Sequence, residues 1–309
     1  MTTILVTGGL GVIGSRMVPL LRHQGYDVKV LDNRILRQKD YIRADICSMV
    51  ETERGFRDWQ IDYVFHLAGE VGRENGELFA RRAVDINVGG TLNLIQLCRE
   101  YGSRLIYAGS SEAYGDIGEN VMAEDLAPGK QTNCYALSKF QAEQYIRHFV
   151  ENYDLEAHII RIFMCYGPGE YPSYFRSAIS RFVYNVIHDR QISVHRGTAR
   201  SWCYIDDIVE GWRAVMEHFR PGSPEMYNIG RNDPRPMTEV ANLICELAGK
   251  STDLIRYVEV PKFVMRTKLA SFEKARQRLG FESRVPLEVG LTRTIEWQRE
   301  HVRDDDIEC

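Results

Sequence analysis

The sequence predicts an α/β protein in which a doubly wound parallel sheet is followed by a smaller C-terminal lobe. Short apolar runs alternate with amphipathic segments of helical period through the first half of the chain, as is typical of parallel sheets covered by helices on both faces. The rhythm stops near Gly167, where the stretch GPGEYPSYF is rich in turn-forming residues. We therefore expect one domain over residues 1–166, to which segments near 200–230 return, and a lobe made mainly of residues 167–309.

The elements of the first half follow from the spacing of their apolar residues. Runs rich in β-branched and aromatic side chains predict five buried strands: Ile4–Val6, Val28–Leu31, Tyr63–Leu67, Leu105–Ala108 and His158–Phe163. Apolar residues at helical spacing predict three helices between them: Ile13–His23, Leu78–Tyr101 and Tyr135–Tyr153. In such a sheet the carboxyl ends of the strands share one edge, where ligands bind.

Composition argues against several classes of partner. The 309 residues carry a formal net charge of −4, so an extensive basic surface for nucleic acid is not expected. No apolar run is long enough to cross a bilayer, and the N-terminal MTTILVTGG lacks the features of a signal peptide. The seven cysteines are scattered without a Cys-x-x-Cys pair, so neither disulfides nor a metal site is expected. We expect a reduced, cytoplasmic protein.

A glycine-rich turn, TGGLGVIGS, follows the first predicted strand and opens the first helix. Gly8, Gly11 and Gly14 fit one dinucleotide-binding spacing, and Gly9, Gly11 and Gly14 fit the G-x-G-x-x-G spacing. Such glycines let the backbone approach a pyrophosphate at the helix N-terminus. Asp32 ends the second strand, where a carboxylate accepts hydrogen bonds from the adenosine ribose and repels a 2′-phosphate. These features predict a Rossmann-type domain that binds NAD rather than NADP.

Tyr135 and Lys139 share one face of a predicted helix because they are four positions apart. A lysine beside a tyrosine favours the phenolate, which can remove a proton from an alcohol while hydride leaves the attached carbon. Ser110 ends the preceding strand, at the edge where ligands bind, and can share the hydrogen bond of that hydroxyl. The three residues predict an alcohol-oxidising site beside the cofactor.

Motifs along nearly the whole chain resemble the extended short-chain dehydrogenase/reductases of the nucleotide-sugar epimerase/dehydratase family. They occur in that family's order: TGGLGVIG, VLD, ADI, HLAG, NVGGT, SSEAYG, YALSK, RIFMCYGP, RSWCYIDD and YNIG. The joint match is specific for the family, although no single motif is. The resemblance implies a nucleotide-sugar substrate, and it makes the later lobe mainly a substrate-binding lobe.

The resemblance also implies site residues at the matching positions. Ser110, Tyr135 and Lys139 match the catalytic residues, and Lys139 is also expected to bond the nicotinamide ribose. Besides Tyr135 and Lys139, cofactor contacts are implied at Gly8, Gly11, Val12, Ile13, Gly14, Asp32, Asn33, Asp45, Ile46, Leu67, Ala68 and Gly69. Substrate contacts are implied at Ser111, Met164, Arg200 and Arg266, with Arg200 on the diphosphate and Arg266 as a second arginine on the phosphate side.

Two positions depart from the family pattern. Met164 stands where an asparagine commonly contacts the substrate's diphosphate, and Ser271 stands where an aspartate is usual. We therefore expect nucleotide-sugar binding with a modified geometry. In the stretch GEVGRENGE, Glu70, Arg73 and Glu74 either border the sugar or face water, and the sequence leaves both open.

Glu112 is an additional group that a simple 4-epimerase does not need. It resembles in position the glutamate of 4,6-dehydratases and uronic acid decarboxylases, and Ser111 beside it is closer to the guanosine-linked dehydratases and the decarboxylases. A 4-keto group acidifies the C5 proton and stabilises the carbanion left by carbon dioxide. We therefore predict oxidation at C4 followed by dehydration or decarboxylation with help from Glu112.

Several alternatives stay open on the sequence alone. They are 4-epimerisation, net NAD-dependent sugar oxidation with release of NADH, and a non-catalytic dinucleotide-binding sensor in which Glu112 only bonds nearby backbone. The family also implies a homodimer, formed through the Leu78–Tyr101 helix and the helix that carries Tyr135 and Lys139. No nucleic-acid, membrane or metal partner is expected.

Overall fold

A computed structural model describes residues 1–260 and 267–303. Its central feature is a seven-stranded sheet. The strands are β1 (Thr3–Thr7), β2 (Asp27–Asp32), β3 (Tyr41–Arg43), β4 (Tyr63–His66), β5 (Arg104–Ser110), β6 (Ala157–Ile162) and β11 (Met226–Ile229). Their order in the sheet is β11-β6-β5-β4-β1-β2-β3, and every neighbouring pair is parallel. The predicted α/β fold with a parallel sheet is thus confirmed.

Helices cover both faces of this sheet, as parallel strands require. Those in the first two-thirds of the chain are α1 (Val12–His23), α2 (Met49–Asp58), α3 (Arg73–Leu78), α4 (Ala80–Val84), α5 (Thr91–Tyr101), α6 (Cys134–Asn152), α7 (Ala178–Ile187) and α8 (Ile205–Glu217). The central residues of β1 are fully buried because they are covered from both sides. On one face α1 and α8 contribute Met17 and Trp212 to the core, and on the other α5 and α6 contribute Leu94 and Ile146.

Within residues 1–260 and 267–303, the later part of the chain adds three small two-stranded sheets and three further α-helices. The pairs are β7 (Cys165–Tyr166) with β10 (Cys203–Tyr204), β9 (Ala199–Arg200) with β12 (Arg235–Pro236), and β8 (Ile192–His195) with β13 (Ile255–Val258). The helices are α9 (Met237–Ala248), α10 (Glu273–Leu279) and α11 (Leu287–His301). Side chains of α7, α9 and α11 pack into a separate apolar core, which includes Phe182, Ile244 and Leu291.

The predicted helix Leu78–Tyr101 is interrupted in the structure. Leu78 ends α3, and a π-helical turn at Asp85–Gly90 separates α4 from α5. A π-helical turn widens the helix and re-aims side chains locally. Here it brings the Asn87 amide against the loop after β4, where Asn87 accepts a hydrogen bond from the Glu70 N–H at 2.8 Å. The apolar spacing alone could not reveal this interruption, because the same residues remain on the buried face.

The elements that were not predicted include β3 and α2. The three residues of β3 are too few to show an alternating pattern, and α2 is dominated by charged residues.

Neither the features of a membrane-spanning helix nor those of a metal-binding site are present among the described residues. No helix at 1–260 or 267–303 has the length and apolar content needed to cross a membrane. The same residues contain no group of three or more potential metal-binding side chains.

Candidate active site

A long cleft runs along the carboxyl ends of the central strands. It consists of two cavities of about 780 and 620 Å³, which share the lining residues Gly8, Gly11 and Gly69. The first extends past the end of β2, and the second extends past the end of β5 towards the C-terminal lobe. The cleft can therefore hold an elongated ligand whose two halves occupy different cavities.

The glycine-rich turn forms the floor where the two cavities meet. Gly8 has a φ of +69°, and a β-carbon there would lie 2.7 Å from the Ala68 nitrogen. A β-carbon on Gly14 would lie 2.4 Å from the Gly8 carbonyl oxygen. Both positions therefore require glycine. Val12 begins α1 directly after this turn, so the positive end of the helix dipole faces the cleft.

Asp32 closes the other end of the first cavity, at the end of β2. Its side chain is only 7% exposed and accepts hydrogen bonds from the Leu10 and Arg34 backbone N–H groups at 2.9 and 3.1 Å. Other lining residues of this cavity are Asn33, Asp45 and Ile46. A helix N-terminus for a pyrophosphate and a fixed carboxylate for a ribose form a donor and acceptor set that fits NAD.

The Leu67–Gly69 segment lies between the two cavities and lines both at Leu67 and Gly69. Ala68 also lines the first cavity. The segment is held by Asn87, whose amide donates to the Glu70 carbonyl at 3.0 Å and to the Ser138 hydroxyl at 2.9 Å. Sequence reasoning missed this role for Asn87, although the motif NVGGT was visible.

Ser110, Tyr135 and Lys139 come together in the second cavity. Ser110 ends β5, Tyr135 lies in the first turn of α6, and the two residues are close enough for Ser110 to act on the pKa of Tyr135. Burial raises the pKa of Tyr135 to about 12, and the nearby Ser110 side chain partly offsets this. The two hydroxyl groups are therefore adjacent and face the same space, as an alcohol-binding site requires.

Lys139 lies one turn further along α6 and is almost fully buried. Its Nζ donates a hydrogen bond to the Ala108 carbonyl at 2.9 Å and lies 4.9 Å from the centre of the Tyr107 ring. Burial lowers the pKa of Lys139 to about 8, while the negative charge of Glu143 opposes this shift. Glu143 is itself paired with Arg161 at 2.6 Å, and both side chains are buried.

Glu112 lies two residues after Ser110 and is held by two cations. Arg73 donates through Nε and Nη2 to the two carboxylate oxygens at 2.7 and 3.0 Å, and the Lys268 ammonium donates to Oε1. Burial raises the pKa of Glu112, but the charges and hydrogen bonds of Lys268 and Arg73 outweigh it and lower the pKa to about 2. The carboxylate is thus firmly ionised. Lys268 was not singled out from the sequence because it lies 156 positions away.

The expected substrate residues are distributed unevenly. Ser111, Met164 and Arg200 line the second cavity. Met164 has a φ of +43°, a left-handed conformation that asparagine adopts more readily than methionine. Methionine thus occupies a backbone conformation that favours asparagine. Arg266 lies outside the described residues.

Ser271 does not line either cavity of the cleft. Its N–H donates to the Met122 carbonyl at 3.0 Å, and its own carbonyl accepts from the Asn228 amide at 3.1 Å. The departure at this position therefore alters a packed junction between loops, away from the two cavities.

Comparison with known proteins places the chain among enzymes with this architecture. The pattern of the NAD dependent epimerase/dehydratase family matches residues 4–230, which is more than half of the chain. The chain belongs to the NAD-dependent epimerase/dehydratase family. The predicted family, its NAD cofactor and its enzymatic character are therefore confirmed.

Relatives in the epimerase/dehydratase family differ in the reaction named for them. A probable dTDP-glucose 4,6-dehydratase of Sinorhizobium fredii is 28% identical, with 96% of this chain and 93% of the relative aligned. UDP-glucuronic acid decarboxylase 6 of Arabidopsis thaliana is 31% identical, with 93% and 86% aligned. The structure of UDP-glucose 4-epimerase from Thermotoga maritima with UDP-glucose has a TM-score of 0.89 at 27% identity and covers 98% of this chain and 100% of that one.

Proposed function

We propose that the protein oxidises the C4 hydroxyl of a nucleotide-linked sugar to a 4-keto intermediate, using NAD bound along the first cavity. The observation that carries this proposal is that Ser110, Tyr135 and Lys139 line one cavity together with the glycine turn. Arg200 in the same cavity supports a diphosphate-bearing substrate. The dehydratases, decarboxylases and epimerases similar to this chain act on substrates of that class according to their names.

In the proposed reaction Tyr135 takes the proton of the C4 hydroxyl and Ser110 holds that hydroxyl in place. Bound NAD supplies the hydride acceptor and, in its oxidised form, a positive charge. Such a charge, together with that of Lys139, favours the phenolate form of Tyr135, whose pKa burial otherwise raises. Lys139 is fixed between the Ala108 carbonyl and the Tyr107 ring, so it can hold the charge at a constant position.

The fate of the 4-keto sugar depends on Glu112. Dehydration requires a base for the C5 proton, and a carboxylate held by Arg73 and Lys268 is a weak base. Decarboxylation and 4-epimerisation do not require Glu112 to accept that proton. The ion pairs of Glu112 therefore argue against dehydration. Of the remaining reactions we place decarboxylation first and 4-epimerisation second. In both, Glu112 orients the two cations around the sugar.

In this proposal one lobe binds NAD and the other mainly binds the substrate. Residues 1–166, with later segments near 200–230, are the proposed NAD-binding domain, and residues 167–309 are mainly the substrate-binding lobe. The NAD site is assigned to the glycines at 8, 11 and 14 with Val12, Ile13, Asp32, Asn33, Asp45, Ile46 and Leu67–Gly69. The substrate site is assigned to Ser111, Met164, Arg200 and, beyond the described residues, Arg266. A cytoplasmic homodimer completes the proposal.

Tyr135→Phe tests the reaction directly. The variant should retain NAD, because the glycine turn is untouched, and should lose at least 100-fold in turnover because the proton acceptor is gone. Turnover is followed by NMR on UDP-, GDP-, CDP- and dTDP-sugars that raise the melting temperature. The native enzyme should need only catalytic amounts of NAD. Stoichiometric NADH release would instead identify a net dehydrogenase, and full biological function of the variant would identify a sensor.

A further inference from the structure

The side chains around Glu112 carry more positive charge than its single negative charge can neutralise. Arg73 and Lys268 both donate to Glu112, and the charges of Arg73 and Lys268 reach each other. Arg200 is close enough for Glu112 and Arg73 to act on its pKa, which burial lowers. We refer to Arg73, Arg200 and Lys268 as the cationic cluster. Arg73 and Lys268 by themselves bring two positive charges to the one carboxylate of Glu112.

No other described acidic side chain at the cavity wall removes this excess. The second cavity is lined by one further carboxylate, Glu170, which accepts hydrogen bonds from the Ser177 hydroxyl and N–H at 2.6 and 3.1 Å. Two more cations, Arg176 and Arg181, line the cavity on the Glu170 side. The described lining of the cavity therefore contains more cationic than acidic side chains, which favours an anionic ligand.

The cationic cluster lies at the sugar end of the proposed substrate site. Glu112 follows Ser110 by two residues, and the Glu112 backbone N–H donates a hydrogen bond to the Ser110 hydroxyl at 3.2 Å. The negative charge of Glu112 also acts on Tyr135, which places the two side chains near each other. Arg73 is 42% exposed and lines the cavity, so its guanidinium remains accessible to a ligand while it holds Glu112.

We propose that the sugar of the substrate carries a carboxylate, so that the enzyme acts on a nucleotide-linked hexuronate in preference to the neutral hexose. This rests on the proposed function, because it assumes that the nucleotide-sugar lies with C4 at Tyr135. The diphosphate is assigned to Arg200, which leaves Arg73 and Lys268 to share Glu112 and the uronate carboxylate. Burying a second anion beside Glu112 is acceptable only because these two cations are there.

Lys268 contributes through charge rather than direct contact. Its side chain is only 5% exposed, and it approaches Glu112 from the protein side while Arg73 approaches from the cavity. A buried cation that has one carboxylate partner among the described residues still attracts a second anion across a short distance in a medium of low dielectric constant. Arg73 is therefore the residue that binds the uronate, and Lys268 is a positioning residue for Glu112.

The test compares substrates that differ only at C6. UDP-, dTDP- and GDP-linked glucose are each measured against the corresponding glucuronic acid, by kcat/KM for the native enzyme and for variants at position 73. The native enzyme should favour the hexuronate at least 10-fold. Arg73→Gln should reduce kcat/KM for the hexuronate about 10- to 100-fold more than for the hexose, as expected for a lost charge-assisted contact. Arg73→Lys should retain part of the preference, because it keeps the charge.

A charge control comes from Arg57→Gln on α2, where Arg57 is 54% exposed and pairs only weakly with Glu53 at 3.5 Å. It should leave both substrates unchanged. Equal losses on hexose and hexuronate in Arg73→Gln would show that Arg73 only supports Glu112, and would overturn the inference. Faster turnover of the neutral hexose by the native enzyme would also overturn it while leaving C4 oxidation intact. Failure of every nucleotide-sugar to turn over would instead overturn the proposed function.

Discussion

Burial controls the chemistry of the two ionisable side chains on the cleft face of α6. It raises the pKa of Tyr135 to about 12 and lowers that of Lys139 to about 8, so each shift favours the neutral form. A phenolate next to an ammonium is therefore costly in the free protein. It becomes accessible when a positively charged nicotinamide lies beside it, which ties activation of the base to the presence of the cofactor.

The sequence predicts contacts between residues that are close along the chain, but it does not predict the ion-pair partners of Glu112. The i, i+4 spacing of Tyr135 and Lys139 predicts a shared helix face, and their shared cavity is consistent with it. The partners of Glu112 could not be predicted, because Arg73 and Lys268 are 39 and 156 positions away. A local motif therefore suggests that Glu112 is a base, whereas long-range contacts show how weak a base it is.

The buried pair of Glu143 and Arg161 provides a prediction about stability. Glu143→Gln leaves the Arg161 guanidinium, which is only 3% exposed, without its counter-charge. We expect the free energy of unfolding to fall by about 3–5 kcal/mol, as measured by urea denaturation. The same change removes the charge that opposes the lowered pKa of Lys139, so Lys139 should lose its proton at a lower pH.

The double variant Glu143→Gln, Arg161→Gln is the matched control, because it removes the unpaired charge. It should recover a substantial part of the lost stability. If the single and double variants were equally unstable, the loss would come from packing and the unpaired charge would not be the cause.

At the scale of elements, the ends of strands and helices build the cleft. The turn between β1 and α1 presents backbone N–H groups, β2 ends in Asp32 and β5 ends in Ser110. These positions follow from the parallel sheet, which directs all carboxyl ends to one edge. The position of the π-helical turn at Asp85–Gly90 does not follow from the sheet. The turn places Asn87 in hydrogen-bond contact with Glu70 after β4, and the spacing of apolar residues does not predict that contact.

Gly14→Ala tests the packing of the β1–α1 turn. The added methyl group would overlap the Gly8 carbonyl and the Gly9 backbone, so the turn should open and NAD affinity should fall at least 10-fold. Affinity is measured by calorimetric titration of NAD into cofactor-free protein. Gly55→Ala on α2 is the control, since its β-carbon meets only ordinary contacts at 3.7 Å and beyond. Unchanged NAD affinity in Gly14→Ala would contradict the assigned cofactor site.

At the scale of the whole molecule, the cleft lies where the central sheet meets the later part of the chain. Gly169 packs against the start of α1, where a β-carbon would lie 2.8 Å from the Ser15 hydroxyl oxygen. Arg16 of α1 is paired with Asp206 at the start of α8 at 2.5 Å. Ser15, Arg16 and Gly169 line the first cavity, so these contacts attach the later part of the chain to the cofactor side of the cleft.

The proposed homodimer predicts a measurable change in mass. Large apolar side chains that are at least 42% exposed on the segments assigned to the interface include Leu78, Phe79, Val84, Leu137 and Tyr145. Replacing Leu137 and Tyr145 with glutamate should convert a dimer into a monomer, because burial of these charges would be unfavourable. Light scattering after size-exclusion chromatography measures this. Val50→Glu, at a 70% exposed site on α2, should remain dimeric, and a monomeric native protein would contradict the proposal.

The sequence by itself determined the class of the fold, the cofactor and the family, because these depend on local periodicity and on motifs within a few residues of each other. It also predicted Ser110, Tyr135 and Lys139 as the residues of an alcohol-oxidising site. Only the tertiary structure decided the electrostatic state of Glu112 and the excess of positive charge around it. Charges act through space, and the residues that surround Glu112 come from distant parts of the chain.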